Sequence, residues 1–301
     1  MLSSLYVQTQ YIGAQGAQHL ANYLQQNKTI TTLHLRGNGI SDEGVRYLSS
    51  ALKQNKTLIT LDLVYNEIGD EGAQYLANAL QENQTLTKLS LYINDIGNKG
   101  VQHLANALYQ NKGITLTTLD LSKNNIGIEA AKHLAKVLQQ NRTLTVLLLS
   151  SNHIGLQGVQ YLTNTLQQNE TLTTLFLSYN HIGDVAVQYL ADGLKKNKTL
   201  TEIGLHANNV TDEGIQHLTK YLQQSKTLTA LYLDSNQIDD HRAKYLADAL
   251  QQNDTLTKLS LGMNQIGDEG AQHLATALQQ NKVRFNSRLQ ILSFTHFFQY
   301  S

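Results

Sequence analysis

The sequence predicts an α/β solenoid in which parallel strands line a concave inner face and helices line the outside, and three observations carry that prediction. The pattern LxLxxNxI recurs with its asparagine at Asn38, Asn66, Asn94, Asn124, Asn152, Asn180, Asn208, Asn236 and Asn264. Successive copies lie 28 residues apart, save one step of 30 where Gly113 and Ile114 are inserted. Within each period apolar residues first alternate and then fall at helical spacing, so one period is a strand followed by a helix.

Taken from the N-terminus, Gln10 holds the asparagine place of an opening unit, flanked in register by Leu5, Val7 and Ile12. Residues 1–282 thus form ten repeats of about 28 residues. The unit at Asn208 is the softest, with Ile203 and Val210 at its outer apolar places. Thr57 to Gln84 shows the two halves of one unit. Leu61 and Leu63 point inward and Asp62 outward, as a strand requires. Ala73, Leu76, Ala77 and Leu80 share a helix face, and Asp70 is placed to cap that helix's first turn. Asn83 is expected to end it in a left-handed conformation, with cations such as Lys56, Lys112 and Arg142 near the negative ends of other helices. A single lap leaves both of its faces open, so neighbours must share core and hydrogen bonds. The periodic asparagine fits a buried amide that satisfies the irregular turn of its own and the next lap.

Residues 283–301 leave the register and hold four of the five phenylalanines. They read either as a cap, with Leu289 and Ile291 in one more strand, or as intron sequence translated after Lys282. The unmatched ends point to a piece of a longer array.

Composition narrows the function classes. Of 301 residues, 41% are hydrophobic, and 23 basic side chains balance 23 acidic ones, so no net field recruits nucleic acid or an anionic membrane. There is no apolar run of spanning length and no signal-peptide pattern at the start, which makes the cytoplasm the default compartment. With no cysteine, disulfides, thiolate metal sites and thiol nucleophiles are out of reach. No cofactor fingerprint is present, and none of the chain reads as an enzyme of ordinary kind.

The units LxxLxLxxNxIGxxGxxxLxxxLxxN resemble leucine-rich repeats of the ribonuclease-inhibitor class, as found in NOD-like receptors and in Ran GTPase-activating proteins. The resemblance implies a horseshoe that binds proteins inside cells, without catalysis of its own. It departs from ribonuclease inhibitor in lacking cysteine and in having one unit type. The alternative it implies is a regulator of a small Ran-like GTPase, although the acidic C-terminal segment common in that family is missing.

Comparison of the units within the chain locates the expected surface. The outward strand column reads Tyr6, His34, Asp62, Ser90, Asp120, Leu148, Phe176, Gly204, Tyr232 and Ser260. The next outward column is almost as mixed, whereas the helix column from His19 to His273 holds only tyrosine and histidine. Copies that agree elsewhere differ on the concave strands, as a surface tuned to a protein or peptide would. Leu148 beside Phe176, with Val146 and Tyr179, forms the preferred apolar anchor. Tyr65 and Tyr92 form a second group with Ile93, Tyr232 lies further along, and Asp62, Asp120 and Asp234 are placed to receive basic groups. His206 shares the second column.

Four other signals have plainer explanations. Ser178, His206 and Asp234 share a column in catalytic order, yet nothing nearby supplies a strained nucleophile turn or oxyanion donors. His153 and His181 lack a third ligand, so no metal site is expected. The tyrosine and histidine stripe shields helix joints. Seven of eight N-x-T sequons are helix-ending asparagines followed by the next strand's threonine.

Overall fold

The computed structural model describes residues 2–110, 113, 115–281 and 290–292. They belong to two compact units, residues 1–153 and 154–301. The first unit runs β1 (Ser4–Tyr6), α1 (Gly13–Gln26), β2 (Thr32–His34), α2 (Ser41–Gln54), β3 (Thr60–Asp62), α3 (Asp70–Leu80), β4 (Lys88–Ser90), α4 (Asn98–Gln110), β5 (Thr118–Asp120), α5 (Ile128–Leu138) and β6 (Val146–Leu148). Each strand pairs in parallel with the next, so Leu5, Leu33, Leu61, Leu89, Leu119 and Leu147 stand opposite one another. The second unit runs α6 (Gly155–Leu166), β7 (Thr174–Phe176), α7 (Gly183–Leu194), β8 (Glu202–Gly204), α8 (Asp212–Gln224), β9 (Ala230–Tyr232), α9 (Asp240–Gln252), β10 (Lys258–Ser260), α10 (Asp268–Gln280) and β11 (Gln290–Leu292). Its row is Leu175, Ile203, Leu231, Leu259 and Ile291. Ile291 of the expected cap is therefore paired to β10, while Leu289, Ile114 and Lys112 lie outside the described residues.

Alternation decides which side of each three-residue strand is core. Leu33, Leu61, Leu89 and Leu119 are buried between strand and helix, joined by Leu48, Leu76 and Leu104 from the helices. The flanking strand residues stay at least part exposed in the first unit, because a period of two sends them to the other side. On the helices the tyrosine and histidine stripe is wet at its edge, as the Tyr75 hydroxyl shows by donating to Glu71 at 2.6 Å.

Buried asparagines carry the backbone hydrogen-bond accounting, but toward the lap before rather than the lap after. The Asn38 amide donates to the carbonyls of Val7 and Leu35 at 2.6 and 2.9 Å, and its oxygen accepts from the Gln10 backbone at 3.0 Å. Asn66 repeats this on Asn38 N–H and Leu35 C=O, and Asn94 on Asn66 N–H and Leu63 C=O. The direction follows from where the turn leaves its carbonyls: those of Val7, Leu35 and Leu63 lie within reach of the following lap's amide, and Leu35 accepts from Asn38 of its own lap as well.

Helix ends also differ from expectation in a way that the stacking explains. Asp70 does not cap its own helix. Its carboxylate accepts the N–H groups of Gly97 and Gly100, both at 2.7 Å, at the start of α4, and Asp42 does the same for Gly69 and Gly72 of α3 at 2.7 and 2.9 Å. Asp240 serves α10 alike. The N-termini of α3, α4 and α10 thus receive their anion from the preceding lap, whereas α9 is capped by Asp239 of its own lap and α5 meets the neutral Asn98 amide. Glycine is needed at the second contact, since a Cβ on Gly72 would lie 2.5 Å from Asp42 Oδ1 and 2.6 Å from Ile68. Gly72→Ala is therefore expected to cost about 1–3 kcal/mol in urea unfolding, against a change within about 0.5 kcal/mol for Glu71→Ala at the exposed neighbouring position. At the other end, the helix-ending asparagines are extended instead of left-handed: Asn55 has φ −70° and ψ 130°, and Asn83 is not among the positive-φ residues. Their oxygens accept the next two strand-leading N–H groups, Thr57 and Leu58 for Asn55 at 3.0 and 2.7 Å. The side chain, not an αL turn, redirects the chain.

Candidate interaction surface

In the first unit the candidate residues share the strand face away from the core. Tyr6 stacks on His34 with ring centroids 4.4 Å apart, and His34 Nδ1 lies 2.9 Å from Asp62 Oδ2. The other Asp62 oxygen accepts the Val64 N–H at 3.0 Å. Two strands on, Asp120 Oδ1 accepts the Ser122 N–H at 2.9 Å and Oδ2 faces the Ser90 hydroxyl at 3.5 Å. Burial pushes the Asp120 carboxyl up to about 6; the Ser122 and Ser90 hydrogen bonds oppose the rise and the charge of Asp62 adds to it. Tyr92 is part buried close by, its hydroxyl raised first by burial and then by Asp120. Tyr65 is 60% exposed and Leu148, in register with Asp120, is half-buried.

The Asp120 shift has a measurable sign. An acid whose folded value lies above its unfolded value near 3.9 binds its proton more tightly when folded, so its contribution to stability grows as pH falls from about 6 toward 4. Asp120→Asn keeps an oxygen for the Ser122 N–H and removes the buried charge. It is expected to raise stability at pH 7 by on the order of 1 kcal/mol and to flatten the pH dependence over that window in denaturant titrations.

The second unit departs from expectation. Tyr232, His206 and Asp234 were expected on the open face, yet they are 3%, 4% and 0% exposed. Phe176 is half-buried, and the reason begins at Gly204, its register partner: a Cβ there would come 2.8 Å from the Phe176 ring. With glycine in place the ring leans over β8 and meets Tyr232 edge-on, centroids 5.4 Å apart. Tyr232 donates its hydroxyl to Glu202 at 2.6 Å, and Lys258 Nζ sits 4.8 Å from its ring centre. His206 packs 5.4 Å from the same ring and lies 2.6 Å from Asp234 through Nδ1. Asp234 also accepts from the Ser260 hydroxyl at 2.6 Å and the Gly262 N–H at 2.9 Å. Burial pushes the Asp234 carboxyl up, but the His206 ring and Ser260 hydroxyl more than offset it, so the group is held below the usual carboxylate range. Facing away from the core is therefore not the same as facing water: large side chains on adjacent strands close over one another.

Ser178, His206 and Asp234 do come together. The serine oxygen accepts the backbone N–H of His206 at 3.2 Å, and all three side chains are buried. Tyr179 is 46% exposed at φ 55°. His153 and His181 are exposed, in different units. Among the described residues no group of three metal-ligating side chains gathers, and no helix is long and apolar enough to cross a membrane.

Eight stretches, residues 26–49, 54–77, 82–105, 114–135, 140–162, 168–191, 224–246 and 252–275, match the model of the Leucine Rich repeat family. The chain belongs to the leucine-rich repeat family. No curated protein sequence matches it. Among solved structures, this leucine-rich repeat chain is similar to an internalin (inlF) from Listeria monocytogenes, at 19% identity over 94% of this chain and 86% of that one, with a TM-score of 0.42. It is also similar to leiomodin-1 actin-binding site 2, at 22% identity over 51% of this chain and 88% of that one, with a TM-score of 0.41.

Of the residues that organise the second unit's leucine-rich repeat face, Gly204 and Ser260 stand in the outward column with no role read for them, and Glu202 and Lys258 are not singled out by the sequence. One signal was present: Phe176, Gly204 and Tyr232 follow one another down a single column, and a glycine between two aromatics is where a ring can lie flat. Glu202 and Lys258 gave none, because an exposed strand position accepts any charge.

Proposed function

We propose that this leucine-rich repeat chain is a non-catalytic module that binds a protein or peptide partner through strand-face residues, with Asp62, Tyr65, Tyr92, Asp120 and Leu148 forming a surface within the first unit and Phe176 and Tyr179 a surface within the second. One observation carries the reading: Tyr65 and Tyr179 are exposed aromatics held at φ 56° and 55°, a conformation that the equivalent Gly37 adopts without strain. Large rings at such places add nothing to the core and are the kind of anchor that concentrates affinity. Balanced charge favours a protein partner over nucleic acid, and the helix in every lap supports a place in the ribonuclease-inhibitor-like class. A cytoplasmic setting as a scaffold or receptor sensing part belongs to the same reading.

Affinity capture with the wild type, with the pair Leu148→Ala and Phe176→Ala, and with Tyr65→Gly tests it. A partner retained by the wild type and lost from the strand-face variants, but kept by Tyr189→Ala on α7, is the expected result. Equal loss from the helix variant, or no loss from any strand-face variant, overturns it.

A further inference from the structure

Four carboxylates stand on the strand faces, Asp62 and Asp120 in the first unit and Glu202 and Asp234 in the second. Three of them are answered from within the fold. His34 meets Asp62 at 2.9 Å, Tyr232 donates its hydroxyl to Glu202 at 2.6 Å, and His206 and the Ser260 hydroxyl each meet Asp234 at 2.6 Å. Asp120 is the exception. Its Oδ1 accepts the Ser122 N–H at 2.9 Å, but its Oδ2 has the Ser90 hydroxyl at 3.5 Å, the far limit of a hydrogen bond. Among the described residues no basic side chain pairs with it, and the charge that acts on it across the face, that of Asp62, has the same sign.

What surrounds this carboxylate is apolar or neutral. Ser90 and Leu148 are its register partners on β4 and β6, and the part-buried Tyr92 stands close by. Arg36 acts on the Tyr92 hydroxyl but makes no pair with Asp120. These neighbours take water from the group and return no counter-charge, which is why burial raises its carboxyl. At about 6 it is still ionised in neutral solution. The arrangement costs stability, as the gain expected for Asp120→Asn expresses, and a cation brought by a partner removes that cost. In a part-desolvated place such a pair is worth more than on an open surface. The cation's stem finds apolar surface on Leu148, and its head gains further beside the Tyr92 ring.

We propose that the strand face of the first unit takes a lysine or arginine side chain of its partner on Asp120, with an apolar side chain one or two residues away in the partner seated on Leu148. The inference rests on the strand face being the binding surface and adds the chemistry of what it binds. Adjacent strands lie about 4.8 Å apart and an extended chain advances about 3.3 Å per residue, so a basic and an apolar side chain at that separation reach both places. Of the three aspartates that alternation places to receive basic groups, Asp120 alone is left without one.

Panning a random phage-displayed peptide library on the full chain at neutral pH tests it, followed by affinity measurements on the enriched peptides. These are expected to carry a lysine or arginine beside an apolar residue, and to bind Asp120→Asn at least about tenfold more weakly than wild type. That variant keeps an acceptor for the Ser122 N–H, so its fold is not at risk. Glu129→Gln, on α5 of the same lap, removes one exposed charge from the helix side and is expected to change affinity by less than about twofold. Peptides that are weakened by Leu148→Ala yet show no basic preference and no response to Asp120→Asn would sink the cation site and leave the strand-face reading standing. Peptides indifferent to every strand-face variant, or no enrichment over the bare support, would overturn both. Equal weakening by Glu129→Gln would assign the preference to net charge and overturn the inference.

Discussion

Replacing Asn66 with alanine is expected to destabilise the chain by about 3–5 kcal/mol. Its side chain is fully buried and joins two laps. The oxygen accepts N–H groups of Asn38 and Ile40 at 3.0 and 3.3 Å, and the nitrogen donates to the carbonyls of Leu35 and Val64 at 2.9 and 3.0 Å. Alanine strands the Asn38 and Ile40 N–H groups in the interior, at about 1–3 kcal/mol each before relaxation, and takes one of two donors from the carbonyls of Leu35 and Val64, which keep the Asn38 amide and the Gly37 N–H. Asn66→Asp is expected to be no better, since a carboxylate serves the two N–H groups but confronts the two carbonyls with charge. Denaturant titration together with amide exchange at Asn38 and Ile40 reads the effect. Asn125→Ala, at an exposed position on the turn of another lap, supplies the reference. A loss below about 1 kcal/mol would mean that water enters the turn and that the asparagine is dispensable.

Asp234→Ala is expected to cost about 3–5 kcal/mol, because it removes one member of a buried charged cluster and strands the rest. His206, Ser260 and the Gly262 N–H all converge on this carboxylate. The same contacts set a pH signature opposite to that of Asp120. Since the folded carboxyl of Asp234 is held below its ordinary value, its stabilisation is fully present above the unfolded value near 3.9 and is lost as pH falls through the depressed folded value. Asp120 acts in a higher window, between about 4 and 6, and there favours the folded state as pH falls. Stability of Asp234→Ala compared with wild type from neutral pH down past 4 is therefore expected to show a gap that narrows in the acid. A gap that stays constant would assign the loss to packing alone.

Much of the candidate surface in the first unit was legible from alternation. Asp62, Tyr65, Tyr92, Asp120 and Leu148 stand on the strand face or its rim because the side-chain period of a strand admits no other answer once Leu61, Leu89, Leu119 and Leu147 are core. The rule was silent on contacts across strands. Whether Tyr232 is wet depends on Gly204, Phe176 and Glu202, residues 28 to 56 positions away in sequence. For the same reason Asp70 looked like the cap of its own helix: local spacing places it there, and only the stacked lap shows that the vacant N–H groups it reaches belong to the next helix.

By itself the sequence determined the period, the strand and helix within each lap, the inward leucines and the family, all of which follow from spacing along one chain. Tertiary structure decided the direction of each asparagine and aspartate bond between laps and the burial of His206, Tyr232 and Asp234. Those depend on which groups of a neighbouring lap lie within about 3 Å, and distances across a stack are set by packing between laps rather than by the order of residues within one.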